Sequence, residues 1–255
     1  MNHRYTYVTL LGTDDYLVGT LCLWKSLRNV NSKYPLLVLC SQGISENTLN
    51  LLRKRDIKYK VLKEQIITNH KNSGLFTRWR FTFDKLQIFN LVKYDKIVFL
   101  DSDMMVTKNI DVLFEAPHMS AVVADLYDQP KCTELNSGLM VIKPSAQEYK
   151  ELISLLHSDD IIKLPMCGDQ DIIRLYYNNW SSEQSLKLPN KYNMYFTNIK
   201  KYKWSGVNVV HFVYDKKPWD FSLTAWFRRM LKFNAFYLFR YMLLVYSCKF
   251  RSRVK

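Results

Sequence analysis

Apolar residues recur along this chain with two spacings, one typical of buried strands and one typical of helices. Residues 5–11, 36–40 and 58–62 form short runs rich in Val, Leu and Tyr, which predict strands. Between the first two runs, residues 16–28 carry apolar side chains at helical spacing. The chain therefore opens with strand, helix and strand, which is a βαβ unit.

The same alternation continues towards the C-terminus. Further strands are predicted at residues 96–100, 121–124, 139–142 and 207–213. Further helices are predicted at residues 46–53, 82–92, 147–156 and 170–178. Strands that alternate with helices are typical of a sheet flanked by helices, so the pattern predicts the α/β fold class.

Composition narrows the class of protein. A chain of 255 residues with 48% hydrophobic content is long enough for one folded domain with a sizeable core. Its five cysteines are odd in number and contain no C-x-x-C pair, which favours buried thiols in a reducing compartment. Asp14 and Asp15 interrupt the first apolar run before it reaches the length of an export signal. We therefore expect a cytoplasmic protein.

Charge divides the chain into residues 1–220 and a tail, residues 221–255. Of the net charge of +14, the tail contributes eight basic residues and no acidic one, so residues 1–220 are only mildly basic. As a helix, the tail would set basic residues beside aromatic ones, the pattern of a helix lying on an anionic membrane surface. The alternative is a helix that packs on the core or pairs with a second copy in a homodimer. A nucleic-acid partner is not expected.

The most informative segment is the predicted strand at residues 96–100, which ends in Asp101-Ser102-Asp103. Open α/β sheets bind their ligands at such strand ends. Two carboxylates one residue apart suit a divalent cation such as Mn²⁺ or Mg²⁺, which would neutralise a diphosphate. The alternatives are a solvated strand end and a phosphohydrolase of the haloacid dehalogenase type. The latter is disfavoured by Met105 and by the absence of a later G-D-x-x-x-D motif.

Further short motifs follow in a fixed order. They are V-T-L at 8–10 with Asp14 and Tyr16, T-F-D-K-L at 82–86, N-I-D-V-L-F at 109–114, N-S-G at 136–138, G-D-Q at 168–170, H-F at 211–212 and K-P-W at 217–219. Together with the aspartate triplet, they resemble the glycogenin-like retaining glycosyltransferases of glycosyltransferase family 8. That family includes bacterial lipopolysaccharide glucosyl- and galactosyltransferases. The resemblance covers roughly residues 5–220.

The resemblance implies a GT-A fold, a Rossmann-like, nucleotide-sugar-binding domain built on a central, mostly parallel sheet. It also implies a UDP-sugar donor and a Mn²⁺ ion held by Asp101, Asp103 and His211, with Mg²⁺ as the alternative. An imidazole ligand suits Mn²⁺ better than Mg²⁺. By itself, His211 would be interpreted as a buried histidine at the end of a strand.

The resemblance also implies which residues contact the donor. Lys85 and Lys217 are implied at its phosphates, with Arg80 nearby. The other implied donor contacts are Leu10, Gly12, Thr13, Asp14, Tyr16, Ser102, Asn136 and Ser137. The structural alternatives are that Asp14 caps a helix, that Lys217 is a solvated surface residue and that Asn136 only shapes a turn before a strand.

Catalysis is implied to involve Asp125, Asp169 and Gln170, which would lie around the transferred sugar. Because an amide is a poor nucleophile, we favour a front-face route, in which the leaving phosphate helps to deprotonate the incoming hydroxyl. A covalent intermediate is the alternative. Asp169 is also suited to capping the predicted helix that begins at residue 170.

One position departs from the family pattern. Tyr214 stands where related chains carry the glycine that lets the backbone approach the diphosphate.

Taken together, the resemblance and the basic, aromatic tail predict a retaining hexosyltransferase that acts on a glycan acceptor, lipid-linked as in lipopolysaccharide synthesis, at the inner face of a membrane. The alternatives are glycogenin-like transfer to a protein or soluble glycan, and a non-catalytic, basic membrane-binding protein whose transferase site has decayed.

Overall fold

A computed structural model describes residues 3–68, 81–124, 132–162, 168–197, 206–213, 217–232 and 235–250. The strands are β1 Tyr5–Leu11, β2 Leu36–Cys40, β3 Lys58–Val61, β4 Lys96–Leu100, β5 Met104–Val106, β6 Ser120–Val123, β7 Leu135–Ile142, β8 Lys187–Leu188, β9 Met194–Tyr195 and β10 Val209–His211. The α-helices are α1 Leu17–Asn29, α2 Glu46–Lys54, α3 Ala146–Leu156, α4 Asp159–Ile162, α5 Asp169–Tyr176, α6 Leu223–Lys232 and α7 Ala235–Phe250.

Seven strands form the central sheet, in the order β3-β2-β1-β4-β7-β6-β8. The neighbours β3, β2, β1 and β4 pair in parallel, whereas β7 runs antiparallel to both β4 and β6. In β4 and β7, the central strands, nearly every side chain is buried, because helices cover both faces of the sheet. The predicted α/β class with a central, mostly parallel sheet is confirmed.

Each face of the sheet carries its own apolar core. On one face, α1 packs on β1 and β5, and α7 packs on α1, with Leu23, Leu238 and Tyr241 among the fully buried side chains. On the other face lie α3, α5 and a 3₁₀ segment at Thr82–Asn90. The site described below lies at the strand ends between these two layers.

A second, smaller sheet has the order β5-β10-β9. β5 pairs antiparallel with β10, so that Met104 lies opposite His211, and β9 runs parallel to β10, with Tyr195 opposite His211. The backbone amide of Phe212 also donates to the carbonyl of Asp103, 3.0 Å away. This small sheet fixes His211 beside the aspartate triplet.

Several predicted boundaries differ from the structure. The helix predicted at residues 82–92 is the 3₁₀ segment Thr82–Asn90, and the strand predicted at 207–213 is shorter. The interpretation of Asn136 as part of a turn was wrong, because β7 begins at Leu135 and includes Asn136, Ser137 and Gly138. These polar residues belong to a buried strand because hydrogen bonds inside the fold satisfy their side chains. The short strands β5, β8 and β9 were not predicted.

The described part of the tail forms two helices, α6 and α7, which confirms its prediction as helical. On α7, Tyr237, Leu238 and Tyr241 are buried against the core. On the opposite side of α7, four large apolar side chains are 47% to 62% exposed, namely Phe236, Phe239, Leu243 and Tyr246. We call these four residues the aromatic strip. Among the described residues, no helix has both the length and the apolar content needed to cross a bilayer.

Candidate active site

The aspartate triplet leaves the carboxyl end of β4 in a tight turn. The backbone amide of Asp101 donates to the carbonyl of Gly138, 2.8 Å away, and that of Met104 donates to the carbonyl of Asp101 at 3.2 Å. The turn aims both carboxylates at His211, whose Nε2 lies 3.2 Å from Asp103 Oδ1 and 3.8 Å from Asp101 Oδ2. One ligand atom from each of the three residues lies within 4.8 Å of the others. The structure thus brings the three predicted metal ligands together.

In each of the two carboxylates, the oxygen that faces away from His211 forms an ion pair with a lysine. Lys217 Nζ lies 2.7 Å from Asp103 Oδ2, and Lys85 Nζ lies 3.1 Å from Asp101 Oδ1. Each aspartate therefore gives one oxygen to a lysine and turns the other towards the imidazole. Two carboxylate oxygens and one nitrogen make a donor set that fits Mn²⁺ or Mg²⁺. Lys217 is mostly buried, so the alternative of a solvated surface lysine was wrong.

Burial disfavours the ionised form of both carboxyl groups and so acts to raise both pKa values, but neighbouring charges shift the pKa values of Asp101 and Asp103 in opposite directions. At Asp103, the nearby His211 and Lys217 outweigh burial and hold the pKa below its ordinary value. At Asp101, burial and the charge of Asp103 outweigh the attraction of Lys85, so the pKa stays above its ordinary value. A cation between the two carboxylates would favour the ionised form of Asp101.

Asp169 lies at the first turn of α5 and points into the site. Its Oδ2 lies 2.6 Å from Lys85 Nζ and accepts from the Ser137 hydroxyl at 2.9 Å, while its Oδ1 accepts from the Thr82 hydroxyl. Although burial raises the pKa of Asp169, the contacts with Lys85 lower it below the ordinary value. Asp169 does not cap α5, because its two carboxylate oxygens are bound by Lys85, Ser137 and Thr82; Asp171 accepts the hydrogen bond from the Gly168 amide, at 2.8 Å.

Gln170 points its amide oxygen at β7. This Oε1 accepts from the backbone amide of Ser137 at 3.0 Å and from Nδ2 of Asn136 at 3.1 Å. Asn136 Nδ2 also donates to the Tyr195 hydroxyl, 2.8 Å away. The side-chain oxygen of Gln170 is therefore committed to two donors within the protein.

A cleft of about 230 Å³ opens in front of these groups. Its walls are formed by Leu10, Gly12, Thr13, Tyr16, Phe81, Thr82, Lys85, Asp101, Ser102, Asp103 and Asp169. The Tyr16 ring meets Trp219 edge to face, with 5.7 Å between ring centroids, and Lys217 Nζ lies 5.9 Å from the Tyr16 centroid. The loop after β1 and the triplet after β4 meet here because β1 and β4 are parallel neighbours.

Asp14 is exposed near this loop. Its carboxylate accepts from the backbone amide of Ser45, 3.2 Å away, so it ties the loop after β1 to the start of α2 and does not cap α1. Arg80 and Asp125 lie outside the described residues, as does Tyr214. Their predicted roles stay predictions.

Several residues of the site were not predicted. Phe81 and Thr82 line the cleft, and Asn193 and Tyr195 contact His211 itself. Thr82 stands within the T-F-D-K-L motif, which was a signal for it. Asn193 and Tyr195 carry no sequence signal, because only the pairing of β9 with β10 brings them to the site.

Gly138 is needed for the fit between β7 and His211. A Cβ at this position would lie 2.7 Å from His211 Cε1 and 2.8 Å from Asn136 Oδ1, closer than real contacts allow. We expect Gly138→Ala to lower the free energy of unfolding by about 1 to 3 kcal/mol, as other overpacking changes do, measured by urea denaturation. Gly206→Ala is the matched control, because no described atom lies within 4 Å of its Cβ position. Equal stability of the two variants would contradict this expectation.

Together, the fold and the site define the class of this protein. A mostly parallel sheet whose central strand delivers an Asp-x-Asp triplet beside a histidine and two lysines is the arrangement of a GT-A-fold glycosyltransferase. A sequence model of the family described as "Glycosyl transferase family 8" matches residues 7–222. The chain belongs to glycosyltransferase family 8, as its motifs predicted.

Similar proteins agree with this assignment. The chain is 31% identical to mouse glycogenin-1 over 227 residues and 30% identical to Arabidopsis thaliana inositol phosphorylceramide glucuronosyltransferase 1 over 247 residues. These matches cover 85% and 88% of this chain but only 66% and 44% of the two relatives. A crystal structure of the galactosyltransferase LgtC with donor and acceptor sugar analogs superposes with a TM-score of 0.63 at 16% identity, covering 95% of this chain and 96% of that one. This likeness confirms the GT-A fold.

Proposed function

We propose that this protein is a retaining, metal-dependent hexosyltransferase that takes its sugar from a UDP-sugar and passes it to a glycan acceptor. The observation that carries the proposal is the convergence of Asp101, Asp103 and His211 between the buried Lys85 and the mostly buried Lys217. A decayed site would not be expected to keep this geometry. A bound Mn²⁺, with Mg²⁺ as the alternative, would be held by these three residues and would stabilise charge on the departing diphosphate.

The donor would lie in the cleft in front of the triplet. The loop at Leu10, Gly12, Thr13 and Tyr16 forms one wall, which suits a base and ribose. Lys217 and Lys85, both positively charged, flank the carboxylates and would bring positive charge to the phosphates. Asp169 and Ser137 lie beside Lys85 and would form hydrogen bonds with sugar hydroxyls. The side chain of Asn136 is committed to Gln170, Tyr195, Gly138 and Asn193, so it would support this wall of the site from behind.

The commitments of Gln170 and Asp169 favour front-face transfer. The oxygen of Gln170 that would attack the sugar already accepts two hydrogen bonds, and the Asp169 carboxylate accepts from Lys85, Ser137 and Thr82. Neither group is free to act as a nucleophile. These two residues would position the sugar, and the incoming hydroxyl would pass its proton to the leaving phosphate.

A donor screen tests this proposal. The purified protein is mixed with each UDP-hexose and UDP-N-acetylhexosamine, with and without Mn²⁺, and the released UDP and the anomeric configuration of the sugar product are measured. We expect Mn²⁺-dependent release with one preferred donor and retention of configuration. The proposal would be overturned by UDP release that is the same with and without Mn²⁺, by inversion of the anomeric configuration, or by the absence of binding to any UDP-sugar.

We also propose that the acceptor is lipid-linked and that the enzyme docks peripherally on the inner face of a membrane, in the cytoplasm. The support is the exposed aromatic strip on α7, in a tail with eight basic and no acidic residues. One relative is named for transfer to inositol phosphorylceramide, which is a lipid. The described cysteines are free thiols, which suits a reducing compartment.

Vesicle binding tests the docking proposal. Because α7 also packs on the core, the test uses substitutions in the strip and not a truncation. Changing Phe239 and Leu243 together to serine is expected to weaken binding to phosphatidylglycerol-containing vesicles by at least about tenfold, since each apolar side chain contributes roughly 1.5 kcal/mol or more on burial. The Val112→Ser variant, at an equally exposed apolar position, is the control. Equal affinity for neutral phosphatidylcholine vesicles, or no loss in the double variant, would contradict docking.

A further inference from the structure

We propose that Asn193 is a positioning residue that fixes the ring of His211, and that the backbone amide of Gly138 sets the direction of the hydrogen bonds that do so. Through this series of contacts, Nδ1 of His211 carries a hydrogen and Nε2 faces Asp101 and Asp103. The inference rests on the proposed metal site and names the residue that orients its nitrogen ligand.

The series begins at a group that can only donate. The backbone amide of Gly138 lies 2.9 Å from a side-chain atom of Asn136, so that atom has to be the carbonyl oxygen Oδ1. The amide nitrogen of Asn136 then points the other way and donates to the Gln170 oxygen and the Tyr195 hydroxyl. The orientation of the Asn136 amide is therefore determined by the main chain of β7.

Asn193 passes this direction on. Its side-chain atom 2.6 Å from Asn136 Oδ1 has to be the donor Nδ2, because an oxygen there would face another oxygen. Its own Oδ1 then faces His211 Nδ1 at 2.9 Å. An oxygen can only accept at this contact, so Nδ1 donates its hydrogen. The other ring nitrogen, Nε2, is the one that lies 3.2 Å from Asp103 Oδ1.

The fold holds Asn193 in place. It follows the 3₁₀ segment Asn190–Tyr192 and precedes β9, and it is only 5% exposed. The pairing of β9 with β10 sets Tyr195 opposite His211, and the two rings meet nearly perpendicular with 5.7 Å between centroids. The imidazole is thus held by a hydrogen bond at Nδ1 and by an aromatic ring, before any ion binds.

This arrangement matters for affinity because a histidine ligand gains from a partner at its other nitrogen. Such partners fix the ring orientation and the position of the hydrogen, and their loss typically weakens metal binding 10- to 100-fold. An amide oxygen meets this need in Asn193. A carboxylate at the same position would accept the same hydrogen bond, although it would lose the donation to Asn136.

Mn²⁺ titration followed by electron paramagnetic resonance tests the inference. We expect Asn193→Leu, and the smaller polar Asn193→Ser, to bind Mn²⁺ roughly 10- to 100-fold more weakly than the wild type. Asn193→Asp should recover about tenfold of this loss, because it keeps the acceptor. Asn47→Leu, an exposed asparagine on α2, is the matched control. Wild-type affinity in both Leu and Ser variants, or an Asp variant as weak as they are, would overturn the inference.

Nuclear magnetic resonance gives a second readout that does not depend on activity. In ¹⁵N-histidine-labelled protein loaded with diamagnetic Mg²⁺, the wild type should show a protonated Nδ1 and a ligating Nε2 at His211. A protonated Nε2 with an unprotonated Nδ1 would overturn the inference. Because this spectrum is recorded on the wild type, it tests the inference even if the Leu variant does not fold. If the wild type binds neither ion, the proposed metal site itself is wrong. If the wild type binds and the Asn193 variants bind equally well, the metal site stands and only the role of Asn193 is wrong.

Discussion

Replacing Asp103 with alanine is expected to lower sugar transfer roughly 10³-fold, which corresponds to about 4 kcal/mol of transition-state stabilisation. Asp103 contributes one oxygen to the proposed cation and holds Lys217 with the other, at 2.7 Å. The variant therefore loses a ligand and also leaves Lys217 without its carboxylate partner. UDP release under saturating donor, measured across a range of Mn²⁺ concentrations, reports both effects.

The control for this experiment is Asp160→Ala, which removes an exposed carboxylate from α4. It should leave the rate within about twofold of wild type, since surface changes away from a site have small effects. The variant at Asp103 should also need more Mn²⁺ for half-maximal activity. A variant that retains wild-type activity at low Mn²⁺ would show that the carboxylate pair does not hold the ion.

Replacing Lys85 with methionine is expected to be the most destabilising single change in the site. Lys85 is buried and pairs with both Asp101 and Asp169, at 3.1 and 2.6 Å. Without it, two neighbouring carboxylates lose their buried counter-charge, and removing one partner of a buried pair costs about 3 to 5 kcal/mol. Thermal unfolding at neutral pH measures the loss, and Lys93→Met, at an exposed position, is the control.

The cost of the Lys85→Met change should depend on pH in a definite direction. In the wild type, the lowered pKa of Asp169 contributes stability above the ordinary carboxyl range, and this is lost as pH falls through the folded-state pKa. In the variant, burial without the lysine raises that pKa, so protonation relieves the unpaired charge. The difference in the free energy of unfolding between the two proteins should therefore shrink as the pH falls from about 6 to about 4. A difference that grows over this range would contradict the pairing.

Much of the fold was predictable because its strands are buried on both faces. Such strands read as unbroken apolar runs, and β2 and β4 were predicted at their observed limits. The short strands β5, β8 and β9 have two or three residues and carry no periodic pattern. The position of Asn136 was misjudged because polar residues in a strand signal a turn unless the fold supplies their partners.

By itself, the sequence determined the family and the sheet, and it predicted the cluster of Asp101, Asp103 and His211, because these depend on residue order along the chain: an apolar strand, the carboxylates that end it and a set of motifs in sequence. Only the tertiary structure decided how the cluster is held. The assignment of one oxygen of each aspartate to a lysine, the commitment of the Gln170 oxygen to β7, and the contact of Asn193 with His211 all join segments that are distant in sequence. Hydrogen bonds of this kind depend on distances and angles between side chains, which strand pairing sets and residue order does not.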